Sequence, residues 1–331
     1  MLVKKFSRYL FCILLVISNT AGANNLILDA KTCFSGPFES HQSWMAVLKK
    51  NKKNFNSEQF LARFPEQTFK QIKQNLDCID FTYTVGGLTV EGYYLKPKNA
   101  PAQSLPVVIY NRGGNARYGY VNFGQKIGFI ADIAQDGYLV IGSQYRGASG
   151  RKIKNNGQDE FGGKDVEDVL ALQDIIKQIP AADPDKVALV GWSRGVMQSY
   201  IAAQSMPKIK TMIAIAGNAD VEKALAWRPA MEKVYASRVP DFANNRQAAL
   251  EHRSVIKWLD KLPANKPILL VHGDKDKRVN VEQSKLFASA LQRREHPHKL
   301  VIYAGDNHGL FASRDKLRDE VSEWLETYLR N

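Results

Sequence analysis

Lys186-Val187-Ala188-Leu189-Val190-Gly191-Trp192-Ser193-Arg194-Gly195 is the stretch whose reading decides the fold. A short apolar run, the length of a buried strand, leads straight into Gly-x-Ser-x-Gly, and a helical pattern follows over about 194–204. At such a strand-to-helix turn a serine hydroxyl is pushed outward at the C-terminal edge of a sheet. Side chains at 191 and 195 would collide with the closely packed strand and helix, which is why glycine stands at both. The helix that leaves also directs its positive N-terminal end at the serine.

Outward from this turn, strand and helix alternate. Strands are expected at 106–110, 138–141, 211–216, 267–272 and 299–303. Helices are expected at 127–135, 163–179, 281–293 and 314–329. Upstream, 79–96 switches to period two and folds back at Gly86-Gly87 as a β-hairpin. The pattern predicts an α/β fold with a mostly parallel central sheet and helices on both faces. With 331 residues, 44% hydrophobic and 24% charged, the chain can bury a large core, which excludes a disulfide miniprotein or a disordered tail. No internal repeat or low-complexity tract interrupts it.

Two segments fall outside the alternation. Residues 24–77 read as a helical N-terminal extension, with Trp44, Val47 and Leu48 on one face and Phe69, Ile72 and Leu76 on another. Residues 217–266 are too long for a simple crossover. They hold Trp227, Met231, Tyr235, Phe242 and Trp258, interrupted by Pro229 and Pro240, and read as a helical insertion. That insertion is either a lid over the sheet's C-terminal edge, where ligands bind in open α/β sheets, or a set of helices packed on the sheet face.

A serine nucleophile needs a base oriented by a carboxylate, expected in the chain order Ser, Asp or Glu, His. Among six histidines, His308, in Asp306-Asn307-His308-Gly309 after the last strand, is the candidate base. His272 is assigned to supporting the turn that follows it, and Asp306 to forming its own turn. The carboxylate is Asp274 or Asp276, both after strand 267–272. An oxyanion needs two N–H donors. One is expected from the backbone of Arg194, the other from Gly114, with Gly113 and Arg112 as alternates. Arg112 and Trp192 are the candidate substrate-binding side chains. Arg112, Arg117 and Arg194 either place positive charge near the pocket or face solvent.

Together these segments resemble the catalytic domain of the prolyl oligopeptidase family of serine peptidases, within the α/β-hydrolase fold. The resemblance covers about 80–328 and rests on Asn111-Arg112-Gly113-Gly114, Tyr145-Arg146-Gly147, the acidic stretch 159–168, the Ser193 turn, His272-Gly273-x-x-Asp276-x-x-Val279 and Asn307-His308-Gly309. It implies that Asp276, three residues after the His-Gly pair, is the acid, giving a catalytic set of Ser193, Asp276 and His308. It implies that stretch 159–168 is mainly structural. Two departures stand out. Val196 replaces a glycine often found there, and 24–77 is too short for the β-propeller that screens substrates in many members. The size filter and any proline preference are therefore not carried over.

The N-terminus reads as a cleaved signal peptide over 1–23: basic Lys4, Lys5 and Arg8, an apolar run 10–17, then Ala21-x-Ala23. The run is too short to span a membrane, so a secreted or periplasmic protein without a lasting membrane anchor is expected. The formal charge of +13 falls to +10 when the three cations of this segment leave. Export argues against a nucleic-acid partner for that charge. Cys33 and Cys78 remain, and two thiols in an oxidising compartment are expected to form a disulfide. No metal or organic cofactor is expected; His296-Pro297-His298 lacks further ligands.

The function expected is an exported serine hydrolase working through an acyl-enzyme, a peptidase acting on short peptides. The alternatives are a carboxylesterase or deacylase for small or polysaccharide-linked esters, which would use the same residues, and a non-catalytic binding protein on a hydrolase scaffold.

Overall fold

The computed structural model describes residues 26–331, so the expected signal segment 1–23 lies outside the described residues. Nine strands form one sheet: β1 (Ile27–Thr32), β2 (Leu76–Val85), β3 (Leu88–Pro97), β4 (Leu105–Asn111), β5 (Leu139–Ser143), β6 (Ala182–Trp192), β7 (Thr211–Ile215), β8 (Ile268–Gly273) and β9 (His298–Tyr303). Their order is β1-β2-β3-β5-β4-β6-β7-β8-β9. The six from β5 to β9 run parallel, and β1 to β3 add an antiparallel edge. This is the α/β-hydrolase arrangement that the strand–helix alternation predicts.

Strand side chains alternate between two cores. Val107, Ile109, Leu189 and Leu270 enter one; Val108, Val190, Leu269 and Val271 enter the other. Helices Asp165–Leu170, Leu172–Ile176, Arg194–Ala203 and Glu282–Gln292 cover the first face through Val169, Ile175, Ile201 and Phe287. The second face is covered by Arg314–Leu325, through Leu317, Val321 and Trp324, and by the N-terminal helices through Trp44, Phe60 and Phe69. Among the described residues no helix is long and apolar enough to cross a membrane.

The 24–77 segment differs from its expected all-helical form. Helices His41–Asn51, Ser57–Arg63 and Glu66–Asn75 are present, but the described part opens with β1, antiparallel to β2. Leu76 is the first residue of β2, not a helical position. Cys33 stands beside Cys78 with Cα atoms 5.4 Å apart, within bridging distance.

The 217–266 segment forms helices Val221–Trp227, Glu232–Arg238 and Phe242–His252, with a 3-10 turn at Pro229–Met231 between the first two and two more, Val255–Lys257 and Leu259–Lys261, after the third. Leu225, Tyr235, Phe242 and Leu250 join the first core, while Trp227, Met231 and Val234 line the cavity at the sheet's C-terminal edge. The segment thus both packs on the core and contributes to the cavity wall.

The topology fixes where a ligand can sit. β4 lies between β5 and β6, so the connections leaving it diverge and open a crevice beyond the C-terminal ends of β4 and β6. Gly113 follows β4 and Ser193 follows β6.

Candidate active site

Ser193 has φ 57° and ψ −120°, outside the regions an L-residue ordinarily occupies; such strain costs about 1–3 kcal/mol. The glycines around it are there for space. A Cβ at Gly191 would stand 2.5 Å from the Gly195 carbonyl oxygen, and one at Gly195 would overlap the carbonyl of Asn111. The Ser193 N–H donates to the Ile215 carbonyl at 2.8 Å, pinning the turn to β7. Arg194 begins the next helix, so its N–H has no intrahelical acceptor.

The loop after β4 lies against this turn. A Cβ on Gly113 would be 3.1 Å from Ser193 Cβ and 3.6 Å from its Oγ. Gly114 has φ 77°, and a Cβ there would overlap the Tyr118 carbonyl. Only glycine combines that backbone with that approach.

His308 Nδ1 bonds Asp276 Oδ2 at 2.7 Å. Its ring is 15% exposed while Asp276 is fully covered, and its Nε2 has no hydrogen-bond partner among the described residues. Asp276 Oδ2 also meets His272 Nε2 at 3.1 Å, and Oδ1 accepts from the N–H groups of Arg278 at 2.7 Å and Val279 at 3.0 Å. Burial alone would raise its pKa, but the bonds from His272 and His308 outweigh that and hold it well below the usual carboxylate range. Asp274 instead accepts from the Gly305 N–H at 2.7 Å, and Asp306 accepts from the N–H groups of Asn307 and Ser313.

His272 also meets Ser284 Oγ at 2.7 Å through Nδ1, which locks the ring that supports Asp276. Trp192 Nε1 donates to the His308 carbonyl at 3.2 Å, so the indole tethers the histidine loop while its ring lines the cavity.

Two arginine expectations are corrected. Arg112 is 1% exposed. Its guanidinium donates inward to the carbonyls of Gln144 (3.0 Å), Gly113 (2.9 Å), Ala116 (2.8 Å) and Tyr118 (3.3 Å). Every N–H faces a backbone acceptor, so the side chain holds the 113–119 loop rather than a substrate.

Arg194 is equally inaccessible. Nη1 donates to Asp159 at 2.6 Å and to the Gly114 carbonyl at 3.1 Å, and Nη2 donates to Asp165. Its carbon Cζ lies 4.7 Å from the Phe161 ring centre. Burial would lower the arginine's pKa, but Asp165 and Asp159 raise it instead. Asp165 in turn is held low despite its burial, chiefly by Arg194. Neither guanidinium offers free charge to the pocket or faces solvent, and Arg117 does not line the cavity. The acids of stretch 159–168 and the arginine after the serine thus brace the glycine loop against the turn, a pairing that neither segment announces alone.

All these elements meet at a cavity of about 780 Å³ lined by Ser193, His308, Gly113, Gly114, Trp192 and Phe129, among others. It reaches Arg63 of helix Ser57–Arg63, so the N-terminal segment supplies part of its wall. Among the described residues no group of three His, Cys, Asp or Glu could hold a metal ion.

The chain is 24% identical over 264 residues to an uncharacterised Bacillus subtilis peptidase, YtmA, covering 79% of this chain and 98% of that one. It is 26% identical over 261 residues to dipeptidyl-peptidase 5 of Porphyromonas gingivalis, covering 75% of this chain but only 37% of that longer protein. Among solved structures, the acylaminoacyl peptidase of Pyrococcus horikoshii superposes with a TM-score of 0.63 at 18% identity, over 83% of this chain and 44% of that one. It shares the fold. The model of the prolyl oligopeptidase family matches residues 126–331, more than half of the sequence. On that match the chain belongs to the prolyl oligopeptidase family of serine hydrolases.

Proposed function

We propose that this chain is an exported serine peptidase that cleaves short peptides through an acyl-enzyme. The observation that carries the reading is the 2.7 Å bond from His308 Nδ1 to Asp276, with Ser193 on a strained turn lining the same cavity. Ser193 Oγ attacks the scissile carbonyl while His308 Nε2 takes its proton. Asp276 fixes the ring's orientation and stabilises the imidazolium. The N–H of Arg194, with that of Gly114 or Gly113, donates to the developing oxyanion. His308 then protonates the leaving amine, and water repeats the sequence on the acyl-enzyme.

Export is supported by the signal-like N-terminus and by Cys33 and Cys78 at bridging distance, which we propose to be oxidised after export. Helix Ser57–Arg63 and the 217–266 helices wall the cavity. Space of this size suits a few residues of peptide.

Labelling with a fluorophosphonate tests the mechanism. The adduct is expected on Ser193 and absent in Ser193→Ala; labelling elsewhere, or none, overturns the reading. Parallel assays with p-nitrophenyl esters and peptidyl anilides test the class, since turnover of esters alone would replace the peptidase reading with an esterase.

A further inference from the structure

Six arginines line the cavity, Arg63, Arg112, Arg194, Arg228, Arg278 and Arg314, and no Asp or Glu is among its lining residues. Sorting them by partner isolates two. Arg112 and Arg194 are buried, Arg112 bonded to backbone carbonyls and the Nη groups of Arg194 to Asp159, Asp165 and the Gly114 carbonyl. Arg314 meets Asp132 at 3.5 Å. Arg63 lies over the Phe64 and Phe311 rings, 5.3 and 5.8 Å from their centres.

Arg228 and Arg278 have no carboxylate partner among the described residues, yet stand together. Arg228 Nη1 donates to the backbone carbonyl of Arg278 at 3.2 Å, and Arg278 Nη1 donates to the Tyr118 hydroxyl at 2.8 Å. Two cations on one cavity wall with no carboxylate to neutralise them favour an anion there, which can accept from the guanidinium forks.

Their position ties them to the reaction centre. The Arg278 N–H is bonded to Asp276 at 2.7 Å, so its backbone is fixed by the same carboxylate that holds His308. Arg228 follows Trp227, and Trp227 and Tyr118, 43% and 60% exposed, add aromatic faces to the same wall. A cavity without a carboxylate has nothing charged to hold the free α-ammonium group of a peptide.

We infer that the substrate carries a carboxylate, on a side chain or at a chain terminus, which Arg228 and Arg278 bind beside the reacting bond. This rests on the hydrolase reading above and narrows its substrate class. The enzyme prefers peptides that carry that carboxylate over otherwise identical neutral ones.

The test compares kcat/KM within matched pairs: N-succinyl against N-acetyl peptidyl anilides for a carboxylate on the acyl side, and peptide acids against peptide amides for one on the leaving side. Wild type is expected to favour the charged member of at least one pair by about tenfold, equivalent to about 1.4 kcal/mol. The ratio should approach one in the double variant R228Q/R278Q, fall with added salt and persist in Arg117→Gln. Equal turnover within both pairs by wild type, or a preference that survives in R228Q/R278Q, overturns the inference.

Fluorophosphonate labelling of Ser193 in the same preparations keeps the two readings apart. If wild type is folded but unlabelled, the hydrolase reading falls, and the anion site is judged by calorimetric titration with N-acetylglutamate. Binding that R228Q/R278Q loses then supports the site; no binding by wild type overturns it.

Discussion

Asp276 accepts hydrogen bonds from two imidazoles and two backbone N–H groups, so one carboxylate orders the base, its supporting ring and the start of the 278–279 backbone. In the proposed mechanism Asp276→Asn keeps the shape but lets His308 settle in the wrong tautomer. A loss of about 10⁴ in kcat is expected, with fluorophosphonate labelling correspondingly slow. The same carboxylate predicts an acid limb of stability. It stays ionised to lower pH when folded than when unfolded, so on acidification the unfolded chain takes up the proton first. Its contribution is full above about pH 4 and is lost below that as pH falls toward the folded pKa. Denaturant midpoints should drop in that window for wild type and less steeply for Asp276→Asn.

Arg194 shows what residue types could not announce. The candidate serine and base could be named because the chemistry prescribes their types and chain order, whereas the choice of Asp276 over Asp274 came from the family resemblance. Whether an arginine beside the serine faces substrate or core depends on acids some thirty positions away, and Asp159 and Asp165 turn it inward. Removing it leaves two carboxylates buried without their cation. Arg194→Met is expected to destabilise by about 3–5 kcal/mol in denaturant titration, although its backbone N–H remains.

At the scale of elements, Val196 is accommodated rather than tolerated. A Cβ on Gly217, just after β7, would stand 2.5 Å from both Cγ atoms of Val196, so the bulk gained on the helix is matched by the missing side chain opposite. Gly217→Ala should cost about 1–3 kcal/mol by overpacking, and Val196→Gly in the same chain should return part of it. A thermal-melt double-mutant cycle reads the coupling. The parallel strands were legible from short apolar runs between helical periods. β1 was not, because Ile27–Thr32 is largely exposed and joins the sheet through its backbone, leaving no alternation to read. The left-handed backbone at Phe161, φ 50°, was hidden for a related reason: it is held by Arg253, which donates to the Phe161 carbonyl at 2.7 Å from the far 217–266 segment.

At the scale of the molecule, the Cys33–Cys78 link would close a span of 45 residues that contains helix Ser57–Arg63, whose Arg63 lines the cavity. The chain-entropy model gives about 4 kcal/mol for such a closure. Reductant, or the double substitution of both cysteines by serine, is expected to lower the melting temperature and to expose the 41–75 helices to limited proteolysis before the sheet is cut.

The groups assigned to catalysis reach one crevice from loops after four different strands, β4, β6, β8 and β9, with the histidine contributed by the loop after β9. A fragment that lacks β9 and the loop after it lacks the histidine and cannot assemble the set. Competence arrives only with the final strand, so covalent capture of the serine during refolding would time the closing step of sheet assembly.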